Sequence, residues 1–147
     1  MHIFLFHRDL RVEDNTALNA LCRVSARVGL LFIFNEQQTN PQQPHFARNS
    51  FNYMLRRLAH LSQQVQLNVL QAPDEVSGLQ MLLQHQPITA VYTNYDFTPF
   101  ARDRDLQTAR FCQAHNIHYR TFQDYLLIKP GTIVGNNNKL LRVFTPF

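Results

Sequence analysis

The sequence predicts an α/β domain built on a five-stranded parallel sheet. Three observations carry this prediction. Five short apolar runs alternate with four helical patterns, with no repeat, low-complexity tract or internal linker between them. The runs are apolar nearly throughout, the pattern of strands covered on both faces. A length of 147 residues with 45% apolar content suits one domain with a real core.

The elements follow in order. HIFLF (2–6) is the first strand. At its exit FHRDLRVEDNTAL carries five charges within seven residues: Arg8, Asp9, Arg11, Glu13 and Asp14. A helical pattern starts at once, with Ala17, Leu18, Leu21 and Cys22 on one face and Asp14 or Asn15 as the cap. VGLLFIF (28–34) is the second strand, and Ala47, Phe51, Met54, Leu55, Leu58 and Val65 mark the second helix. LNVLQ (67–71) comes next. Pro73 and Asp74 then open a helix whose inward face is Val76, Leu79, Leu82 and Leu83. ITAVY (88–92) is the fourth strand, Leu106, Ala109 and Cys112 mark the fourth helix, and IHYRTF (117–122) is the last strand. This α/β unit is expected to occupy residues 1–125, with a hairpin and the start of a linker over 126–147. Residues 133–134 are expected to pair with 140–143 across a turn. The chain closes on VFTPF, an apolar end expected to self-associate or to dock on a helical partner.

Several function classes are disfavoured. The four glycines build neither G-x-G-x-x-G nor a phosphate-cradling loop. No Ser lies in a nucleophile elbow, and no His or Cys pair has zinc-ligand spacing. Cys22 and Cys112 read as reduced core residues. His85 and His115 fall near helix ends, where the helix dipole explains them. No run is long enough for a membrane span or a signal peptide, so an intracellular location, cytoplasm or nucleus, is expected. A net charge of +4, with twelve of fourteen basic residues Arg, permits contact with phosphate or nucleic acid. Spread along the whole chain, it reads first as a solvated basic surface.

In a parallel sheet all strand exits share one edge, and ligands bind there where strand order reverses. The exits carry His7, Arg8 and Asp9, then Phe34, Asn35 and Glu36, then Asn94, Tyr95 and Asp96. A cation, amides, a carboxylate and aromatic faces suit a planar ligand with polar edges. Asp9 and Arg11 are expected to pair with each other or with neighbouring arginines.

FHRDLRVEDNTAL resembles the strand-one exit of DNA photolyases and cryptochromes, although His7 stands where that family usually has Arg. TNYDFTPFARDRD (93–105) resembles the family's fourth-strand exit, and LLRVFTPF (140–147) the segment closing its N-terminal domain. The resemblance implies a Rossmann-like N-terminal domain that holds a light-harvesting antenna chromophore, such as methenyltetrahydrofolate, 8-hydroxydeazaflavin or a flavin. It places the catalytic FAD and most of the DNA-binding surface in a helical domain that follows. This chain is then part of a protein for light-driven repair of pyrimidine dimers or for blue-light sensing, inactive without its helical partner. The antenna positions carry over to Arg8, Phe34, Asn35, Arg48, Asn94 and Asp96. Thr98 stands where certain relatives carry an acid. Two other readings remain: a stand-alone nucleotide-binding α/β protein of universal-stress or electron-transfer-flavoprotein type, and an interaction module that binds no small molecule.

Overall fold

A computed structural model of the chain describes residues 1–44, 46–128 and 132–134. Five parallel strands form one sheet: β1 (His2–Phe6), β2 (Val28–Phe34), β3 (Leu67–Gln71), β4 (Ala90–Asn94) and β5 (His118–Phe122). Their order is β3-β2-β1-β4-β5. Strand β1 lies at the centre, with His2 in register with Val28 on one side and Ala90 on the other. Among the described residues the helices are α1 (Thr16–Cys22), α2 (Glu36–Thr39), α3 (Arg48–Gln64), α4 (Glu75–His85) and α5 (Pro99–Ala114).

The near-continuous apolar strands are buried on both faces because helices cover both. Ile3, Leu5, Leu31, Ile33 and Val91 point to one face, where Leu79 of α4 and Phe111 and Cys112 of α5 meet them. Phe4, Phe6, Phe32 and Tyr92 point to the other, against Ala17, Leu18 and Leu21 of α1 and Leu58 and Leu61 of α3. This alternation is the two-residue period of a strand. Each fully buried Phe stabilises the fold by roughly 1.5–3 kcal/mol. Helix α4 lies so close to β2 that a Cβ on Gly78 would meet Ile33 Cδ1 at 2.8 Å.

Helix starts follow capping chemistry. Asn15 caps α1 by accepting from Leu18 N–H at 3.1 Å, and Asp74 caps α4 through Ser77 N–H at 2.7 Å. Asp14, the other expected cap, instead takes a positive φ of 48° just before α1. At helix ends, His85 closes the last turn of α4, and His115 caps α5 with its Nδ1 donating to Phe111 O at 2.9 Å.

Four sequence expectations are corrected. Strand four runs from Ala90 to Asn94, two residues later than the apolar run, because Thr93 and Asn94 are polar yet fully buried. Helix α2 was not expected; it has no buried face and is held by a capping box between Asn35 and Gln38. Cys22 is exposed while Cys112 is buried, and both are free thiols. The Asp9 and Arg11 side chains do not pair with each other, although Arg11 N–H donates to Asp9 O. Asp9 accepts from His7 N–H, Asn15 and Asn94, and Arg11 donates to Asp124 at 2.6 Å. The expected pairing of 133–134 with 140–143 and the VFTPF end lie outside the described residues.

Candidate functional site

The strand order reverses between β1 and β4, and a cavity of about 920 Å³ opens beside their exits. Each wall comes from a different element. The β1 exit supplies His7, Arg8, Leu10 and Arg11; the β2 exit, Asn35 and Gln38; and the β4 exit with α5, Asp96, Thr98, Phe100 and Arg104. Helix α3 adds Ser50, Tyr53, Met54 and Arg57 at the i, i+3, i+4, i+7 spacing of one helix stripe. Phe6, Phe32 and Ile33 reach it from the sheet, so the walls combine aromatic and aliphatic surface with a charged rim.

Arg8 and Asp96 span the reversal point. Arg8 Nη1 donates to Asp96 Oδ2 at 2.7 Å, with the Arg8 side chain 67% exposed and Asp96 4% exposed. The other Asp96 oxygen accepts the N–H groups of Phe97 (2.7 Å) and Thr98 (3.2 Å). Burial pushes the Asp96 carboxyl up, but the bonds from Arg8 and these two amides outweigh it and hold the group below its ordinary range. Arg8 also lies over the Tyr125 ring, 5.8 Å from its centroid. Asp96 therefore fixes Arg8, and the exposed guanidinium keeps donors free for a guest.

A second polar cluster lies deeper. His7 Nε2 sits 2.6 Å from Glu75 Oε2, and His7 Nδ1 sits 3.0 Å from Thr93 Oγ1. Thr108 donates to Glu75 Oε1 at 2.6 Å, and Arg104 approaches Glu75 Oε2 at 3.5 Å. Burial pushes the Glu75 carboxyl up, yet His7, Arg104 and Thr108 overcome it and the group lies below its ordinary range. This cluster is internally satisfied and ties β1, α4, β4 and α5 together.

The six residues carried over from the family resemblance divide. Arg8, Asn35 and Asp96 line the cavity together. Asn35 Oδ1 caps α2, while its Nδ2 has no partner among the described residues. Phe34 stands behind the wall, its ring 5.0 Å from Phe32 and 6.4 Å from Phe51. Arg48 opens α3, is exposed, and does not line this cavity. Asn94 is 0% exposed and turned inward, donating to Asp9 (2.7 Å) and Asn15 (2.8 Å) and accepting from Ala17 N–H (3.0 Å). Sequence reasoning missed Glu75, Arg104 and Arg57. The α3 stripe was the available signal for Arg57; the long-range pairing of Glu75 with His7 left none.

A family model described as DNA photolyase matches residues 2–147. The chain belongs to the DNA photolyase family. Among curated photolyases, the deoxyribodipyrimidine photo-lyase of Escherichia coli is 30% identical over 155 residues, covering 99% of this chain and 32% of the relative. Among solved photolyases, that of Sulfolobus tokodaii, described with two FAD molecules and a novel light-harvesting cofactor, matches at 29% identity and a TM-score of 0.78. It aligns with 90% of this chain and 31% of its own length. A class III photolyase of Agrobacterium tumefaciens shares the fold with a TM-score of 0.83 at 23% identity, over 99% of this chain and 30% of that one. The chain thus spans about a third of the length of these photolyases and corresponds to their N-terminal domain. Among the described residues, no helix is long and apolar enough to cross a membrane, and no cluster of His, Cys, Asp and Glu is set to hold a metal.

Proposed function

We propose that this chain is the antenna-chromophore domain of a light-driven DNA repair protein. The observation that carries the reading is the cavity at the reversal point between β1 and β4, in a chain of the photolyase family. Its volume of about 920 Å³ lies in the range of cofactor sites and admits a multi-ring heterocycle.

The donor set fits such a guest. Tyr53, Met54 and Phe100 offer apolar surface for a ring system, backed by the buried Phe6 and Phe32. Asn35 Nδ2 and the exposed Arg8 guanidinium offer donors for ring carbonyls, and Thr98, the α5 cap, sits at the rim. When bound, the chromophore absorbs blue light and passes the excitation on. The protein's part is to hold the ring flat against the sheet edge and to exclude water from its faces. Methenyltetrahydrofolate, 8-hydroxydeazaflavin and a flavin all match this chemistry. The two FAD molecules of the Sulfolobus tokodaii photolyase make a flavin a reasonable guest.

Repair of pyrimidine dimers then belongs to the assembly of this α/β unit with a helical FAD domain that also carries most of the DNA contact. Coverage of only a third of each photolyase relative supports this division. Leu126, Leu127 and Ile128, exposed past the last strand, suit burial against such a domain.

The test is a fluorescence titration of the chain with the three chromophores, using wild type, Arg8→Ala and Arg48→Ala. At least one chromophore is expected to bind wild type. Arg8→Ala should weaken it about tenfold or more, and Arg48→Ala should leave it unchanged. No binding by wild type, or equal binding by Arg8→Ala, overturns the site as drawn.

A further inference from the structure

Among the described residues four arginines line the cavity, and three of them are already committed. Arg8 holds Asp96, Arg11 holds Asp124, and Arg104 lies against Asp105 and Glu75. Both lining carboxylates are committed as well, Asp96 to Arg8 and two amides, Glu75 to His7 and Thr108. Arg57 is the exception. It is partly buried and aimed into the cavity from α3, yet it has neither an ion pair nor a hydrogen bond among the described residues.

With no counter-charge among the described residues, its guanidinium fork is open to an anionic guest. Its position one helix stripe along from Ser50, Tyr53 and Met54 puts it on the same side as the apolar wall. Among the described residues, a guest whose rings lie on that wall meets no unpaired acid but does meet one unpaired guanidinium. We propose that Arg57 is the anion anchor of the cavity, taking the phosphate or carboxylate of a ligand whose rings lie against Tyr53, Met54 and Phe100. The inference rests on the chromophore reading and narrows it to planar heterocycles that carry a negative tail. Phosphate and carboxylate both fit the guanidinium fork.

Matched pairs of probes separate the ring from its tail. Riboflavin and FMN differ by a phosphate; pteroate and folate differ by a glutamate. Each is titrated into wild type and Arg57→Gln, with thermal melts alongside. In at least one pair, wild type should prefer the more anionic member about tenfold or more, and Arg57→Gln should erase that preference without moving the melt. Riboflavin, the one probe of the four without an anionic group, should bind both proteins alike. The preference should also shrink at about 0.5 M salt, as expected for a rim charge. The flavin pair showing the preference identifies a phosphate; the folate pair, a carboxylate. A preference that survives Arg57→Gln, or no preference in either pair, overturns the Arg57 anchor and leaves the chromophore site standing. Failure of wild type to bind any of the four overturns the anchor; the chromophore reading falls with it only if wild type also binds none of the three chromophores titrated above.

Discussion

Replacing Asn94 with Ala strikes a buried junction. Its Nδ2 holds the Asp9 carboxylate at 2.7 Å and Asn15 Oδ1 at 2.8 Å, and its Oδ1 accepts Ala17 N–H at 3.0 Å. The side chain therefore joins the end of β4 to the β1 exit and to the first turn of α1. The substitution removes a hydrogen bond to a charged group, roughly 1.5–3 kcal/mol, and leaves the Ala17 N–H without an acceptor, roughly 1–3 kcal/mol. Asp9 keeps His7 N–H at 2.9 Å and Asn15 at 3.3 Å, so the lower part of the summed range applies. The expected loss is about 2.5–4 kcal/mol, a large share of the ~5–15 kcal/mol that holds a typical domain together. Urea unfolding followed by circular dichroism measures it. With a slope near 2 kcal/mol/M, the midpoint should fall by about 1–2 M at unchanged slope. Asn94→Asp should cost at least as much, because it sets a second carboxylate against Asp9. A loss below about 1 kcal/mol for Asn94→Ala would show that the junction is not what fixes the β1 exit.

Two further predictions concern titration and access. The Asp96 and Asp124 carboxyls lie below their ordinary value of 3.8, so each stabilises the fold above that pH and loses its contribution as pH falls through its folded-state value. Asp96→Asn should therefore lower stability at neutral pH and lose less than wild type between about pH 5 and about pH 2; parallel urea-midpoint profiles would refute this. A disulfide-exchange reagent should modify the exposed Cys22 of the native chain quickly and reach Cys112, buried and with its thiol pushed up to about 11, only on unfolding. Two fast equivalents in native buffer would contradict the burial of Cys112.

The sheet was legible because strands covered on both faces carry little but apolar residues, as HIFLF and VGLLFIF do. The same rule misplaced β4. Thr93 and Asn94 bury polar side chains whose partners, Leu5 O and Asp9, lie far along the chain, so their strand character has no apolar signature. Helix α2 escaped for a related reason, since EQQT buries nothing and stands on its Asn35–Gln38 capping box alone. At the site, exit-loop reasoning brought Arg8, Asn35 and Asp96 to one cavity. It could not see that Asn94 turns inward, nor that helix geometry brings Arg57 in place of Arg48. Proximity of loops follows from topology; side-chain direction depends on packing that no local pattern records.

The central position of β1 has a consequence for how the chain reaches its fold. Among the five strands β1 is synthesised first, yet its two neighbours are β2 and the much later β4, with His2 facing Ala90 and Phe4 facing Tyr92. Pairing with β2 alone leaves the far edge of a highly apolar strand open until α4 and β4 have emerged. Parallel pairing at such sequence distance is slow, and an open apolar edge in the meantime is a template for unwanted association. Shortened chains that stop before Asn94 should therefore fail by aggregation rather than persist as small soluble sheets, and chaperone demand during synthesis should peak just before β4 leaves the ribosome.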